Sequence, residues 1–388
     1  MEDLFLKRTL FKPEHEEFRQ TVRQFIRENI TPHYEEWEKD GIVPRELWNE
    51  VGELGWLCPT ASSDYGGTEG DLLYNLVINE EISRARASGF FVSLHNEIVY
   101  PYLESFGSKE QKELYIPRAI SGECVLALAM TEPSVGSDLA RLSTTATEDG
   151  DSYILNGSKT FISNGQLADL FIVAARTEAS PEAPHKGITL FLVEAKTAGF
   201  SKGKKLSKIG LKAQDTSEIF FDNCRISKKN LLGVKNRGFY HMMENLSFER
   251  LSLAAGGVAA MEGAFELTKS YIQEREAFKQ SLSKFQHIRF QMSEVATKIQ
   301  LSRVFMDELY ERLLKDPKAD LLREVSMAKY WITETQFEVM HKMLQLYGGY
   351  GYMTEYPISG YFVDARVQSI YGGTSEIMKE IIAKSYDF

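Results

Sequence analysis

The chain has 388 residues, of which 43% are hydrophobic and 26% charged, and its formal net charge is −10 at pH 7. This length suffices for two or three domains. The acidic balance argues against nucleic acid as the main partner, because phosphate binding requires clustered Lys and Arg side chains. The cysteines Cys58, Cys124 and Cys224 lack the spacing of a metal site and are too few for a disulfide framework, so no metal is expected.

The sequence carries no membrane-spanning or secretory pattern. No run of about 18 or more apolar residues is present. The first five residues include two acids and no apolar signal core, and they lack the Arg-rich pattern of a transit peptide. We therefore expect no membrane span. The expected location is the cytoplasm of a bacterium or, in a eukaryote, the mitochondrial matrix after removal of a presequence.

The apolar spacing divides the chain into three stretches, 1–123, 124–235 and 236–388. In the first, apolar residues such as Phe18, Val22 and Phe25 recur at helical spacing. From Cys124 the period changes to two, in short β-rich runs separated by Asn, Gly, Asp and Lys. No long helix lies between these runs, which favours an antiparallel barrel or sandwich.

Helical spacing returns after Gly238 in three long segments, around 238–273, 284–314 and 320–347. The predicted fold class is therefore α+β. It consists of an N-terminal helical domain, a middle antiparallel β domain and a C-terminal domain built like a four-helix bundle.

A turn-rich segment, Met130–Asp138, follows the first β run. Its polar groups and Gly136 can wrap a planar or phosphorylated ligand. A plain turn of Pro, Gly and Ser with an Asp helix cap accounts for the same residues. The segment alone leaves both interpretations open.

Two Asn-Gly pairs, at 156–157 and 164–165, predict a β-hairpin whose turns accept positive φ. Phe161 and Ser163 then share one face of the strand. There the ring can stack on a ligand ring while the hydroxyl bonds its edge. An ordinary hairpin with a core Phe is the alternative.

Glu249 and Arg250 lie in a helical segment beside an apolar face that includes Leu246 and Leu253. A carboxylate against apolar residues has a raised pKa and can act as a general base near neutrality. From composition alone, a solvated or paired Glu-Arg surface is the commoner explanation.

Gly372 and Gly373 precede the last helix, predicted at about 375–385, with Thr374 as its N-cap. Glycines in this position let backbone N–H groups point at a carbonyl or phosphate oxygen. A capped terminal helix is the simpler alternative. No GxGxxG, P-loop, zinc signature or nucleophile elbow occurs in the sequence.

The order and spacing of these motifs resemble the acyl-CoA dehydrogenase family over essentially the whole chain. The matching residues are Ala129-Met130-Thr131-Glu132-Pro133, Gly136-Ser137-Asp138, Asn156-Gly157-Ser158-Lys159, Asn164-Gly165, Glu274-Arg275, Phe278, Phe285-Gln286, Gln345–Tyr352 and Ile370–Ile377. Within the family, segments 209–218 and 361–368 look most like the long-chain enzymes.

The resemblance implies an FAD site. The residues that it places around the isoalloxazine are Leu128, Ala129, Met130, Thr131, Gly136, Ser137, Phe161, Ile162 and Ser163. Phe161 stands where many relatives have Trp. The residues that it assigns to other FAD contacts are Arg275, Phe278, Gln286, Gln345, Leu346, Tyr347, Gly348, Gly349, Thr374 and Glu376. Part of these contacts reach the FAD of a neighbouring subunit in the family, which implies a homotetramer built of dimers.

The same resemblance singles out Glu249 as the catalytic base. Most relatives carry a catalytic Glu at the position of Gly372, whereas the long-chain and isovaleryl-type enzymes place it at the position of Glu249. The Gly372 backbone N–H and a flavin ribityl hydroxyl are then expected to polarise the thioester carbonyl. The residues expected to bind substrate are Ser137, Tyr240, Ser247, Arg250, Tyr371 and Gly372. Arg250 is expected to bind CoA or to position Glu249.

The expected activity is the FAD-dependent α,β-dehydrogenation of an acyl-CoA to the trans-2-enoyl-CoA in fatty acid β-oxidation. The subfamily pattern favours a long acyl chain. Electrons are expected to pass to an electron-transferring flavoprotein. Three alternatives stay open: a short branched-chain dehydrogenase, an acyl-CoA oxidase (whose chains are usually much longer) and a non-catalytic acyl-CoA- and FAD-binding assembly protein.

Overall fold

The structure, a computed structural model, describes residues 4–388. Its N-terminal part is helical, and the helices are α1 (Pro13–Phe25), α2 (Tyr34–Asp40), α3 (Arg45–Glu53), α4 (Leu72–Arg84), α5 (Tyr100–Phe106) and α6 (Lys109–Ile120). Two π-helical segments, Ile26–Ile30 and Leu94–Val99, precede α2 and α5. The apolar stripe of α3 buries Leu47, Trp48 and Val51, as expected for one turn of an amphipathic helix.

The middle part is one eight-stranded sheet. Its strands are β1 (Leu126–Ala129), β2 (Thr145–Asp149), β3 (Ser152–Ser163), β4 (Leu170–Arg176), β5 (Ile188–Glu194), β6 (Phe200–Lys205), β7 (Thr216–Ser227) and β8 (Leu231–Leu232). The order is β6-β7-β3-β2-β4-β5-β8, and β1 pairs with β4. Most neighbours are antiparallel, but β1 runs parallel to β4, as does the first residue of β2.

The hairpin predicted at 156–165 is wrong. Residues 152–163 form a single strand, β3, and the tight turn lies before it at Gly150, whose φ is +58°. Asn156-Gly157 instead coincides with a shift in the register between β3 and β7. An Asn-Gly pair also suits a bulge, because a bulge needs the same backbone freedom as a turn.

The C-terminal part is helical again. Its elements are α7 (Gly238–Glu274), the short strands β9 (Glu276–Ala277) and β10 (Gln280–Ser281), α8 (Gln286–Lys315), α9 (Leu322–Leu346), α10 (Pro357–Ala365) and α11 (Ser375–Ser385). Helix α9 packs against α7, α8 and α11. The predicted α, β, α plan is confirmed, while the proposed domain bounds 1–123, 124–235 and 236–388 stay a prediction.

Helix α7 also packs against α4 of the N-terminal part. The Asn79 side chain of α4 donates a hydrogen bond to the Ser252 carbonyl of α7 at 2.9 Å. The middle of α7 therefore lies between helix α4 of the N-terminal part and helix α9 of the C-terminal part. No helix within residues 4–388 is both long enough and apolar enough to cross a membrane.

Candidate active site

Glu249 lies on α7 and is only 4% exposed. The buried Tyr102 hydroxyl of α5 donates a hydrogen bond to its carboxylate at 3.1 Å. Burial raises the pKa of Glu249 to about 7, although the Tyr102 hydrogen bond and the Arg250 charge both act to lower it. A carboxylate with this pKa is unprotonated in a large fraction of molecules near neutrality and is still basic enough to take a proton.

Arg250 is buried beside Glu249 and points to the turn before α11. Its Nε donates a hydrogen bond to the Gly372 carbonyl at 3.3 Å. Gly372 has φ +63°, a backbone conformation that favours glycine. A Cβ on Gly372 would lie 2.4 Å from Leu253 Cδ1. Since Leu253 follows Glu249 by four residues on α7, Glu249 and Gly372 lie by the same face of that helix.

The backbone N–H groups of this turn are available to a ligand. Within residues 4–388, neither the Gly372 nor the Gly373 N–H donates a hydrogen bond. Gly373 also has a positive φ, +98°, so the turn needs both glycines. Unbonded N–H groups at a turn suit a carbonyl oxygen that gains negative charge.

A small cavity of about 20 Å³ lies next to this turn. The residues that line it come from α4, from the segment 88–93, from α7 and from the segment 368–371. On α7 they include Ser252 and Leu253, about one turn beyond Glu249. The site therefore combines a buried carboxylate, Glu249, with unbonded backbone N–H groups and an adjacent cavity.

A second carboxylate, Glu97, lies in the π-helical segment near the cavity. It accepts a hydrogen bond from Ser252 Oγ at 2.7 Å, and burial raises its pKa to about 7. Asn79 of α4 contributes a weaker bond at 3.5 Å. Glu97 thus shares the pKa of Glu249, but its hydrogen bonds connect it to α4 and Ser252 rather than to Tyr102.

The two segments predicted to hold the isoalloxazine are brought together. The Thr160 N–H donates to the Thr131 carbonyl at 2.9 Å, and the buried Lys159 ammonium donates to the Met130 carbonyl at 3.1 Å. Lys159 also pairs with buried Glu132 at 2.8 Å, which keeps the pKa of Glu132 at about 2.

Phe161 lies at the surface of these joined segments. It is 68% exposed and has φ +58°, at a register shift between β3 and β7. Ile162 beside it is buried, and Ser163 is partly buried. Because Ile162 faces the core, Phe161 and Ser163 lie on the other face of β3. Leu128 and Ala129, at the end of β1, are buried, while Gly136 and Ser137 in the loop that follows are exposed.

The other predicted cofactor residues lie elsewhere on the chain. No hydrogen bond within residues 4–388 joins Arg275, Phe278 or Gln286 to the segments around Phe161 and Thr131. Phe278 is 90% exposed with φ +51°. Exposed members of the predicted set are Arg275, Gln286, Gln345, Gly348, Gly349 and Glu376, whereas Leu346 and Thr374 are partly buried and Tyr347 is buried.

The remaining predicted substrate residues lie on the first turns of α7 and on the turn before α11. Tyr240 is partly buried, and the Arg237 guanidinium lies 4.0 Å from its ring centre. Ser247 is partly buried two residues before Glu249. Tyr371 stacks on Phe91 with the ring centres 6.3 Å apart and lines the cavity.

The sequence predictions missed three residues at this site: Tyr102, Glu97 and Lys329. Lys329 of α9 is fully buried, and its Nζ donates to the Gly373 carbonyl. Its position within the apolar stripe formed by Val325 and Ile332 is a signal that the sequence carries. Tyr102 and Glu97 lie about 150 residues before Glu249 in the chain, and the sequence around them carries no comparable signal.

Three models of acyl-CoA dehydrogenase domains match the chain: the N-terminal domain at residues 12–123, the middle domain at 127–224 and the C-terminal domain at 236–386. The mitochondrial long-chain specific acyl-CoA dehydrogenase of Rattus norvegicus is 47% identical over 377 residues, which cover 97% of this chain and 87% of that protein.

Two solved structures share the whole fold. The crystal structure of an acyl-CoA dehydrogenase from Geobacillus kaustophilus is 46% identical, with a TM-score of 0.96, and the match covers 98% of this chain and 100% of that one. A glutaryl-CoA dehydrogenase from Mycobacterium smegmatis, solved in complex with FADH2, is 28% identical, with a TM-score of 0.90 and coverage of 97% and 95%.

Proposed function

Because the chain belongs to the acyl-CoA dehydrogenase family, we propose that it desaturates long-chain acyl-CoA thioesters with Glu249 as the catalytic base. The observation that carries the assignment is the buried Glu249 carboxylate, with its pKa of about 7, close to the unbonded Gly372 N–H.

The family is FAD-dependent, and the residues of this chain fit that cofactor. Phe161 offers an exposed aromatic face at a strained backbone position, and hydrogen bonds hold the Met130–Thr131 backbone next to it. A planar ring system needs such a face together with backbone groups at its edge. When bound, FAD supplies the redox chemistry by accepting the β-hydrogen of the acyl chain as hydride.

Glu249 supplies the acid–base part of the reaction. The α-hydrogen of a thioester is a weak acid, so its removal requires both a base and a polarised carbonyl. Glu249 takes the α-proton, and the Gly372 N–H donates a hydrogen bond to the thioester oxygen as its negative charge develops. Arg250 joins the two groups, since it is next to Glu249 in the chain and bonds the Gly372 carbonyl.

One observation supports a long acyl chain: the rat enzyme that shares 47% identity is named for long-chain substrates. The acyl chain would enter at the small cavity beyond Leu253, between α4 and α7. A short branched-chain substrate is the second candidate, because the placement of the base on α7 resembles that of both subfamilies.

A substrate panel tests the proposal. Anaerobic bleaching of the flavin is measured with straight acyl-CoAs of increasing length and with short branched acyl-CoAs. We expect the highest rate per bound substrate with the long straight chains. Faster bleaching by isovaleryl-CoA would replace the long-chain assignment, and no bleaching by any acyl-CoA would favour the non-catalytic assembly protein.

We further propose an electron-transferring flavoprotein as the acceptor and a homotetramer as the assembly, both by analogy with the family. The proposed location is a compartment that carries out fatty acid β-oxidation, the mitochondrial matrix or a bacterial cytoplasm. Reoxidation of the reduced protein by molecular oxygen at the rate of turnover would contradict the acceptor and favour an oxidase.

A further inference from the structure

Two lysines in the described part of the chain, Lys159 and Lys329, are completely buried. Lys159 lies 2.8 Å from the Glu132 carboxylate, an ordinary way to compensate a buried charge. Within residues 4–388, no carboxylate oxygen lies within 4 Å of the Lys329 ammonium. Lysine is almost never fully buried unless it is paired, so Lys329 calls for a different explanation.

The partner of Lys329 is the turn that carries Gly372. Lys329 Nζ donates to the Gly373 carbonyl, and Arg250 Nε donates to the Gly372 carbonyl. Two buried cations from different helices, α9 and α7, therefore hold consecutive carbonyls of one turn. In a trans peptide the C=O of one residue points opposite to the N–H of the next, so the two cations fix the directions of the Gly373 and Thr374 N–H groups. They hold two consecutive peptide planes of the turn and thereby restrict the Gly372 backbone as well.

We propose that Lys329 is a positioning residue for the desaturation: it fixes the Tyr371–Thr374 turn so that the Gly372 N–H meets the thioester oxygen, and its charge stabilises the enolate that forms there. The inference rests on the proposed function. Two glycines with positive φ make this turn conformationally free, and the hydrogen bonds to Lys329 and Arg250 remove that freedom before substrate binds.

The charges around Lys329 are consistent with this role. The pKa of Lys329 is lowered to about 7, mainly by burial; the Arg250 charge acts in the same direction, while Glu376 of α11 acts to raise it. Ionised substrate at the turn adds a negative charge close to the ammonium, and an opposite charge favours the protonated lysine. The lysine charge and the enolate therefore stabilise each other.

The test compares Lys329→Met with the parent, both carrying FAD. Lys342→Met is the matched control, because Lys342 lies on the same helix but pairs at the surface with Glu294 and Glu338. We expect Lys329→Met to reduce its flavin roughly 10- to 100-fold more slowly, a smaller loss than that of a direct donor. The acyl-CoA affinity and the FAD content of Lys329→Met should stay within about threefold of the parent. The rate of flavin reduction in Lys342→Met should also stay within about threefold of the parent.

The second readout is the acidity of a bound thioester that cannot be desaturated. An acyl-CoA with sulfur in place of the β-carbon loses its α-proton but has no β-hydrogen to transfer. The pH at which its carbanion forms is read from the long-wavelength absorbance next to the oxidised flavin. We expect Lys329→Met to raise that pH by about one unit, the equivalent of a tenfold loss of stabilisation.

Lys329→Gln separates position from charge, because a glutamine N–H can reach the Gly373 carbonyl without a charge. Lys329→Gln should recover part of the rate of flavin reduction and little of the acidity of the bound thioester. If Lys329→Met loses FAD, Lys329→Gln takes its place in the comparison. A parent that bleaches with no acyl-CoA overturns both the proposed function and this inference. A reactive parent with unchanged rate and acidity in the lysine variants overturns this inference alone.

Discussion

Among residues 4–388, the Tyr102 hydroxyl is the one group that donates a hydrogen bond to the Glu249 carboxylate. Its bond favours the ionised carboxylate and so offsets part of the effect of burial on the pKa of Glu249. Flavin reduction requires ionised Glu249, so the rate should fall about tenfold per pH unit below pH 7. Tyr102→Phe should move this acid limb to higher pH, measured as the rate of reduction against pH.

Tyr100→Phe is the matched control for Tyr102→Phe. Tyr100 lies on the same helix and donates an equivalent bond to Glu104 at 3.0 Å, away from α7. Loss of this hydrogen bond in Tyr100→Phe should leave the acid limb of the reduction rate at the same pH as in the parent. An equal displacement in both variants would mean that the limb reports the fold rather than Glu249.

Glu249 should also affect stability in a pH-dependent way. Its folded pKa, about 7, is above the ordinary carboxyl value of 4.5, so the folded state favours the protonated form. The stability of the parent relative to Glu249→Gln is therefore highest below pH 4.5 and is lost as the pH rises from 4.5 to 7. The pKa difference corresponds to at most about 3 kcal/mol. Melting temperatures of the parent and of Glu249→Gln at pH 5 and pH 8 test this. From pH 5 to pH 8 the melting temperature of the Gln variant should rise relative to that of the parent. An equal difference at the two pH values would contradict the prediction.

At the scale of elements, Lys159 joins strand β3 to the loop after β1. Removing one partner of a buried ion pair typically costs about 3–5 kcal/mol, because a buried charge is left uncompensated. Lys159→Met should therefore weaken FAD retention, measured as the flavin-to-protein absorbance ratio after gel filtration. The double variant Glu132→Gln, Lys159→Met should retain more FAD than the single one. Equal or lower retention in the double variant would mean that the pair has no specific role at this site.

The long helices could be predicted because their apolar periodicity persists over many turns. The segments predicted around 238–273 and 320–347 correspond to α7 and α9 within a few residues. The Asn156-Gly157 hairpin could not be predicted correctly, since one dipeptide serves both turns and bulges. Whether it turns is decided by the pairing of β3 with β7, about 65 residues away along the chain.

For the functional site, too, only the features that are local in the sequence could be predicted. The candidates Glu249 and Gly372 came from local sequence and family resemblance, but their surroundings depend on distant contacts. Tyr102, which bonds Glu249, is 147 residues away in the sequence, and Arg250 is 122 residues from the Gly372 carbonyl that it bonds. A single sequence gives no measure of such pairings, so the pKa of Glu249 and the role of Lys329 required the fold.

At the scale of the whole molecule, the proposed assembly depends on the exposed end of α7. Arg275 lies there directly before β9, and exposed Phe278 lies in the turn between β9 and β10. The Arg275 guanidinium lies 5.5 Å from the centre of the Tyr350 ring. If Arg275 binds the FAD of a neighbouring subunit, Arg275→Ala should lose FAD before it loses secondary structure. Helical signal and flavin release are measured during the same dilution series.

Arg312→Ala is the control for that experiment, because Arg312 is exposed on α8 and pairs within its own helix with Glu308. It should retain FAD like the parent. A strictly monomeric parent with one tightly bound FAD per chain would contradict the shared site.

The most direct measurement is the anaerobic rate of flavin reduction in Glu249→Gln, with Glu97→Gln beside it. Both variants make the same change at a carboxylate whose pKa burial raises to about 7, and the two sites differ in their contacts. We expect Glu249→Gln to bind acyl-CoA but to reduce its flavin about a hundredfold to ten-thousandfold more slowly, the usual cost of losing a general base. Glu97→Gln should remain within about tenfold of the parent, a loss smaller than that of a general base. Near-normal reduction in Glu249→Gln, or a large loss confined to Glu97→Gln, would contradict the assignment of Glu249 as the base.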